Sequence, residues 1–251
     1  MTVRSLPLAL LTLALACTSP PEAPVITVTS QHIVAALAAT ARPEADRARD
    51  AARKPAEMLA FAGMTPGQRV ADFIPGGGYF TRLFAEAVGP SGKVFALIPP
   101  AGAEATAPPP IQLVADAYAN VSVVQQSFTT LTVPEPLDVI FTAQNYHDLH
   151  LARFNLDVAA VNRQIFAALK PGGVYIVVDH TARAGADVSV ADTLHRIDPA
   201  IVRRELEAAG FKYAGESGVL RNPKDTLIVP VFDPAIRGST DQFVMRFRRP
   251  K

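Results

Sequence analysis

The sequence predicts an α/β fold in which a doubly wound, mostly parallel sheet carries helices on both faces. Short apolar runs alternate with segments whose apolar residues recur at helical spacing, Gly- and Pro-containing turns separate them, and no internal repeat is visible. With 251 residues, 49% of them apolar, the chain can bury a sizeable core. A net charge of +1 gives no basic footprint for nucleic acid, and the single Cys excludes an intrachain disulfide framework.

The first residues have the pattern of an export signal. Residues 1–16 carry a positive charge at Arg4 and then an apolar run of about 11 residues, whereas a membrane-spanning helix needs about 20. Ala14-Leu15-Ala16-Cys17 resembles the lipobox of bacterial lipoproteins, which predicts a lipid anchor through Cys17; the alternative is an ordinary cleaved signal with a leftover cysteine. Residues 17–31 predict an extended Pro-, Ser- and Thr-rich tether. Residues 32–251 then form a single domain, exported to the cell envelope or periplasm.

The region before the first strand predicts helices. Gln31–Phe61 favours helix, with breaks near Pro43 and Pro55. Its charged residues are expected to form a solvated face with i,i+3 and i,i+4 pairs. These residues are Asp46, Arg47, Arg49, Asp50, Arg53 and Lys54.

Strands and helices then follow in alternation. Strands are predicted at Arg69–Ile74, Lys93–Ile98, Val121–Gln125, Leu137–Thr142 and Val174–Asp179, from Phe211 onward, and, as an antiparallel edge strand, at Asp241–Arg248. Helices are predicted at Tyr79–Val88, Ile111–Ala119, Leu151–Leu169 and Pro199–Ala209, with a turn at Lys170–Gly173. In such sheets ligands bind outside the carboxyl ends of the strands, so function is expected just after each strand.

A glycine-rich loop follows the first predicted strand. Pro75-Gly76-Gly77-Gly78 joins that strand to the next helix. Glycines there let the backbone approach a ligand closely and adopt a positive φ, and the free N–H groups of the helix then face that ligand. The alternative is a glycine turn that only packs the helix on the sheet.

This loop, preceded by Asp72, resembles motif I of class I S-adenosylmethionine-dependent methyltransferases, which have a Rossmann-like seven-stranded sheet with an antiparallel last strand. The turn at Lys170–Gly173, the segment Glu207–Phe211 and the alternating C-terminal strand resemble the same family, so the resemblance covers about Ala56 to Arg248. It implies S-adenosyl-L-methionine as the cofactor. The implied cofactor contacts are Asp72, Pro75, Gly76, Gly77, Gly78, Tyr79, Ser127 and Asn145.

Two positions depart from the family's pattern. Ile74 stands where the first glycine of the motif is usual. The second strand ends Leu97-Ile98-Pro99, without the acid that usually holds the ribose hydroxyls, and Glu104 is the nearest carboxylate. Weaker adenosyl binding, or a vestigial site, is therefore expected. Gln126 or Ser127 occupies the place of the adenine-facing polar residue.

The candidates for chemistry follow the fourth and fifth strands. Tyr146, His147 and Asp148 are expected to face a methyl acceptor, with His147 as general base and His180 nearby, since a histidine pKa of roughly 6.5 suits proton transfer. For each single histidine the alternative is an ordinary hydrogen-bonded surface or core residue. His150 is expected to be an exposed residue at a helix start, and Asp198 is expected to cap a helix. His147, Asp148, His180 and His195 could also ligate a metal, but they share no tight ligand spacing, so no metal site is predicted.

Two functions remain open. The first is an exported methyltransferase acting on an unknown small-molecule or protein acceptor. The second is a non-catalytic envelope protein that uses the same fold as a binding module, an alternative motivated by the missing ribose acid and by the cytoplasmic origin of the cofactor. The loops at Pro99–Pro110, Gly185–Asp192 and Arg221–Gly238 are expected to shape the pocket, and their composition indicates neither nucleic acid nor a highly charged substrate.

Overall fold

The computed structural model describes Met1 and residues 30–102 and 106–251. The predicted signal, Cys17 and nearly all of the tether lie outside the described residues, as does Glu104. Within the described part of the chain, no helix combines the length and the apolar character needed to cross a membrane.

The core of the molecule is a seven-stranded sheet with the strand order β3-β2-β1-β4-β5-β7-β6. The strands are β1 (Arg69–Phe73), β2 (Lys93–Ile98), β3 (Val121–Gln125), β4 (Leu137–Ala143), β5 (Leu169–His180), β6 (Lys212–Ser217) and β7 (Gln242–Arg248). Strands β1 to β5 are parallel, and β7 runs antiparallel to both β5 and β6. The predicted fold class is therefore confirmed.

Helices cover both faces of this sheet. They are α1 (Gln31–Ala38), α2 (Glu44–Arg47), α3 (Asp50–Arg53), α4 (Pro55–Ala62), α5 (Tyr79–Val88), α6 (Gln112–Ala117), α7 (Val158–Ala168), α8 (Val190–Leu194) and α9 (Pro199–Ala208). Successive residues of β1 point to opposite faces: Val70 packs with α1, α4 and α5, whereas Ala71 and Phe73 pack with α7 and α9. Strand β1 is thus buried on both faces. Because its position is fixed by this packing, the start of the glycine-rich loop that follows it is fixed as well.

Two predictions about the position and the bounds of these elements are wrong. The last strand is not an edge strand, because β7 is paired on both sides and most of its residues are buried. The helix predicted over Leu151–Leu169 begins only at Val158, where Asp157 caps it by accepting a hydrogen bond from the Ala160 N–H at 2.8 Å. Short 3-10 turns at His147–His150 and Ala152–Phe154 precede it.

The predicted turn at Lys170–Gly173 lies inside β5 instead. Leu137 pairs with Leu169, but the next pair is Val139 with Val174, so the extra residues of β5 bulge out of the ladder. Gly172 adopts φ +84° there, a conformation that glycine takes without strain. A Pro-Gly-Gly sequence therefore marks a bulge as readily as a chain reversal.

Candidate functional site

The glycine-rich loop connects β1 to α5 through several left-handed residues. Ile74, Gly76 and Gly78 have φ values of +62°, +55° and +81°. A β-branched residue is strained in that conformation, so the backbone at Ile74 has the shape that favours glycine. A Cβ added to Gly78 would lie 2.7 Å from Cγ2 of Val114 on α6, so Gly78 is required for packing. Gly76 and Gly77 face open space, which leaves the backbone accessible to a ligand.

Asp72, the last polar residue of β1, is buried beneath this loop. Its Oδ2 accepts a hydrogen bond from Thr81 Oγ1 at 2.6 Å. Burial raises the pKa of Asp72 to about 7, although the Thr81 hydrogen bond and the nearby Arg53 charge both oppose that rise. A positively charged group placed beside this carboxylate would favour its ionised form.

A cavity of about 250 Å³ opens above the loop; we call it the mixed-charge cavity. Its charged wall residues are two acids and two bases: Asp46, Asp72, Arg49 and Arg53. Pro75, Gly76, Gly77, Tyr79 and Asn145 also line it, so most of the predicted cofactor contacts meet in one place. The Asn145 amide is already engaged, because Nδ2 donates to the carbonyls of Ile74 and Ala143 at 2.9 and 2.7 Å. Asn145 thus supports the loop.

The N-terminal helices form the outer wall of this cavity, and the predicted solvated face is confirmed for Arg47 and Arg49 but wrong for Asp46. Asp46 is only 8% exposed, and Arg53 is partly buried. These helices fold over Tyr79, whose ring lies 4.8 Å from the guanidinium carbon of Arg53 and 5.2 Å from that of Arg49. Short helices broken by proline cannot form one long amphipathic face, and those breaks were the only signal of this arrangement in the sequence.

One ion pair and one hydrogen bond join these helices to α5. Asp50 accepts two hydrogen bonds from Arg42, at 3.0 and 2.6 Å, and a third from the Tyr79 hydroxyl at 2.6 Å. Asp46 accepts a hydrogen bond from Arg82 of α5 at 3.0 Å. The hydroxyl of Tyr79 is therefore committed to the wall, and its ring contributes to the cavity.

A second cavity of about 230 Å³ lies on the other side of Ile74; we call it the apolar cavity. Pro99, Phe128 and Leu149 contribute to its walls. Ser127 also lines it, with Oγ 2.9 Å from Thr129 Oγ1, whereas the amide of Gln126 donates to the carbonyl of Thr132 outside it. Of the two alternatives for an adenine-facing residue, only Ser127 reaches a cavity. Asp148 is the carboxylate in this wall, and no carboxylate lies between β2 and α6 among the described residues.

His147 and Asp179 form a buried dyad beyond this wall. Nδ1 of His147 lies 2.8 Å from Oδ1 of Asp179, and the His147 backbone N–H donates to Oδ2 at 2.7 Å. Burial of Asp179 opposes its ionisation, but the His147 charge and hydrogen bonds hold the Asp179 pKa below its usual range. Burial alone would lower the pKa of His147, yet the charges of Asp179 and Asp148 outweigh it and raise that pKa. Sequence reasoning placed Asp179 at a strand end without giving it this role.

Tyr146 was predicted to face a methyl acceptor, and that prediction is wrong. It is completely buried, and its hydroxyl donates to Glu205 Oε2 at 2.9 Å and accepts from Asn162 Nδ2 at 2.8 Å. Both partners lie on the helices beneath the sheet, and His150 is held by the same carboxylate at 3.1 Å. His150 is thus partly buried and hydrogen-bonded, not an exposed helix-start residue.

The other predicted residues surround the dyad. The His180 ring lies 6.1 Å from the His147 ring, and Nδ1 of His180 is 2.7 Å from Thr240 Oγ1. Burial lowers the pKa of His180 to about 4, so this ring is neutral at neutral pH. The His195 ring lies 5.4 Å from that of His147. Asp198 caps α9 as predicted, accepting from the Ala200 N–H at 2.9 Å.

Three of these side chains could hold a cation. One ligand atom each from His147, Asp148 and His195 lie within 4.8 Å of one another. Oδ1 of Asp148 is 3.4 Å from Nε2 of His147, so these two groups also suit an ion pair. His180, the fourth candidate ligand, is not part of this group.

A third cavity, of about 460 Å³, adjoins the mixed-charge cavity. Arg49, Arg53 and Gln144 line both. The Arg53 guanidinium donates to Gln144 Oε1 at 2.8 Å, and Gln144 Nε2 donates to Gln242 Oε1 at 3.0 Å. This chain of hydrogen bonds separates the two cavities.

Comparisons with known proteins show the fold alone. No protein-family model matches the chain, and no curated protein sequence matches it significantly. A SAM-dependent methyltransferase from Aquifex aeolicus is 19% identical with a TM-score of 0.54, covering 77% of this chain and 88% of its own. The 1,6-didemethyltoxoflavin-N1-methyltransferase of Burkholderia thailandensis, solved with bound 1,6-didemethyltoxoflavin and S-adenosylhomocysteine, is 18% identical with a TM-score of 0.53, covering 93% of this chain and 95% of its own. The cyclase SpnF is 16% identical with a TM-score of 0.53, covering 82% and 81%.

Proposed function

We propose that this chain binds S-adenosyl-L-methionine and transfers its methyl group to an acceptor beside His147. The observation that carries the proposal is the pair of cavities on the two sides of Ile74. Acidic and basic side chains line the mixed-charge cavity, whereas mostly apolar side chains line the apolar cavity. A ligand with a zwitterionic amino-acid end and a flat adenosyl end needs such a pair.

The residues of the mixed-charge cavity fit the amino-acid end. The Asp72 carboxylate would accept hydrogen bonds from the ammonium group, and Arg53 would donate to the carboxylate, because charge-assisted hydrogen bonds are the strongest available to these groups. The backbone of Gly76 and Gly77 has room for close approach. Ser127 and Phe128 would contact the adenine in the apolar cavity. When bound, the cofactor supplies an electrophilic sulfonium methyl group.

His147 would take the acceptor's proton. Asp179 holds Nδ1, so Nε2 is the nitrogen left to accept a proton from an N–H or O–H group as the methyl group is transferred. Because the pKa of His147 is raised, turnover should increase with pH until this ring is deprotonated. Asp179→Asn removes the negative charge that raises this pKa, so the midpoint of the pH profile should move to lower pH.

Calorimetry tests the proposal. The purified protein should release heat on titration with adenosylmethionine and with adenosylhomocysteine, and no heat at millimolar ligand would overturn it. His147→Ala should retain cofactor binding while losing the transfer of radiolabelled methyl groups to added acceptors. Equal loss of binding and transfer would refute the role of His147 as base.

A non-catalytic binding protein is the second candidate. The strained Ile74 and the absence of an acid directly after β2 favour it, since both depart from the family's cofactor loop. One of the structures with this fold is a cyclase, so the fold by itself does not imply methyl transfer. Adenosylhomocysteine binding without methyl transfer to any acceptor would support this candidate.

Export and lipid anchoring are part of the same proposal. The support is the charged start, the short apolar run and the position of Cys17. Cys17→Ala should move the protein from the membrane fraction to the soluble periplasmic fraction. Continued membrane association of that variant would contradict the anchor.

A further inference from the structure

The third cavity has a wall of one charge sign, and we call it the cationic cavity. Arg49 and Arg53 approach it from the N-terminal helices, and Arg237 approaches from the segment between β6 and β7. His180, Gln144 and Gln242 line it as well, and no carboxylate does. The acids of the neighbouring mixed-charge cavity, Asp46 and Asp72, do not line it.

Arg49 and Arg237 are exposed and Arg53 is partly buried, and they differ from three other arginines in their ionic partners. Arg42, Arg82 and Arg196 each form a salt bridge, with Asp50, Asp46 and Asp225 respectively. Among the described residues, Arg49, Arg53 and Arg237 form none. Burial and the neighbouring charge of Arg49 together lower the pKa of Arg53 to about 10, although the charges of Asp72 and Asp46 oppose that shift. A partly buried cation that forms no salt bridge is stabilised by a ligand that supplies an anionic partner.

An apolar wall completes the cavity. Val231 and Phe232 line it beside the arginines, and Phe232 is 58% exposed although it is large and apolar. The Phe232 ring lies 4.8 Å from the His195 ring, which in turn lies 5.4 Å from His147. A molecule resting on Phe232 would therefore reach toward the dyad while its anionic end meets the arginines.

We propose that the cationic cavity binds the methyl acceptor, and that this acceptor is a small organic carboxylate with a flat apolar body. Arg237 and Arg53 hold the carboxylate, and Phe232 packs against the body. The proposal rests on the proposed function for the step that follows binding, but anion binding in this cavity can be measured without it. A single carboxylate is compatible with the expectation, based on loop composition, that the substrate is not highly charged.

The test compares two ligands of the same shape, phenylacetate and its neutral counterpart phenylacetamide. Isothermal titration of the full-length protein should detect phenylacetate binding at least about 10-fold tighter than phenylacetamide, the amount that one charge-assisted hydrogen bond contributes. The preference should fall as salt is added, because exposed charges such as Arg237 are screened. Equal affinity for the two ligands, or no binding of either, would overturn the proposal.

A matched pair of variants locates the site. Arg237→Gln should remove most of the preference for phenylacetate and leave adenosylmethionine affinity unchanged. Arg163→Gln is the control, because Arg163 lies exposed on α7 and does not line the cavity. An unchanged preference in Arg237→Gln, or an equal loss in the control, would place the anion elsewhere.

Titration at saturating adenosylhomocysteine separates this proposal from the proposed function. Phenylacetate should still bind, weakened by less than about 10-fold, because Arg53 is the only lining residue shared by the two cavities that is proposed to hold both carboxylates. Complete displacement would place the anion in the mixed-charge cavity and overturn the proposal. Phenylacetate binding by a protein that does not bind adenosylmethionine would refute the proposed function and leave the anion site standing.

Discussion

The mixed-charge cavity and the cationic cavity share part of one wall but differ in charge. Both include Arg49, Arg53 and Gln144, yet carboxylates line only the side that faces the glycine-rich loop. That side draws Asp72 from the end of β1, whereas the other draws Arg237 from the connection between β6 and β7. One short helical segment thus supplies cations to two sites whose ligands must differ in net charge.

Asp72→Asn should show how much the buried Asp72 carboxylate destabilises the protein in the absence of ligand. The pKa of Asp72 is 3.8 in the unfolded chain and about 7 in the folded one, so the folded state holds an extra proton between these values. Stability is therefore greatest below about pH 4 and is lost as the pH rises to about 7. From pH 5 to pH 8 the wild type should lose about 3 kcal/mol relative to Asp72→Asn, at about 1.4 kcal/mol per pH unit. Urea denaturation at both pH values measures this, and parallel losses would contradict the raised pKa.

Arg53→Gln should impair both cavities. Removing one partner of a buried charge pair costs about 2–5 kcal/mol, so adenosylmethionine and phenylacetate affinity should each fall roughly 100-fold. Folding should be affected less than binding, because Arg53 forms no salt bridge among the described residues and loses one hydrogen bond, to Gln144, and its contact with the Tyr79 ring. Calorimetry with each ligand is the measurement. Reduced affinity for only one of the two ligands would show that Arg53 contributes to only one cavity.

Asp72→Asn should also separate the two ligands. The carboxylate faces only the mixed-charge cavity, so adenosylmethionine affinity at pH 8 should fall about 10-fold while phenylacetate affinity stays the same. The difference should shrink near pH 5, where the wild-type side chain is already protonated. A fall in phenylacetate affinity would mean that the two cavities are not electrostatically separate.

Ile74→Gly tests the wall between the mixed-charge and apolar cavities. Glycine relieves about 1–2 kcal/mol of backbone strain but costs about 0.5–1 kcal/mol of chain entropy, besides the lost side-chain contacts. Ile74→Ala loses those contacts and keeps the strained φ. Thermal denaturation should therefore show the glycine variant to be more stable than the alanine variant by roughly 1 kcal/mol. The reverse order would show that the loop relaxes away from this conformation.

Much of the fold could be predicted from the sequence, because the spacing of apolar residues within a segment is enough to indicate a strand or a helix. The parallel sheet, the position of α5 and the antiparallel β7 follow from such local patterns. The internal position of β7 could not be read, since it depends on β6 pairing along its outer side. The bulge in β5 was hidden for the same reason, because a Pro-Gly-Gly sequence does not reveal its pairing partner.

The site was predicted where it is local and missed where it depends on distant contacts. Asp72 and the glycine loop are adjacent in sequence, and they do line one cavity. Arg53 reaches Gln144 across 91 residues, and no local pattern distinguishes it from a solvated arginine. The prediction for Tyr146 was wrong in the opposite direction. Its hydroxyl was expected to face a ligand beside His147, but it is buried and hydrogen-bonded to Glu205 and Asn162.

The shared position of Arg53 also links the two occupants energetically. A single guanidinium can fully neutralise only one neighbouring anion, so two carboxylates bound on either side would repel each other and compete for its charge. Each ligand should then lower the affinity of the other by the same factor, as thermodynamic reciprocity requires. A reaction that leaves both carboxylates in place would end in a mutually antagonistic pair, and that antagonism would hasten product release.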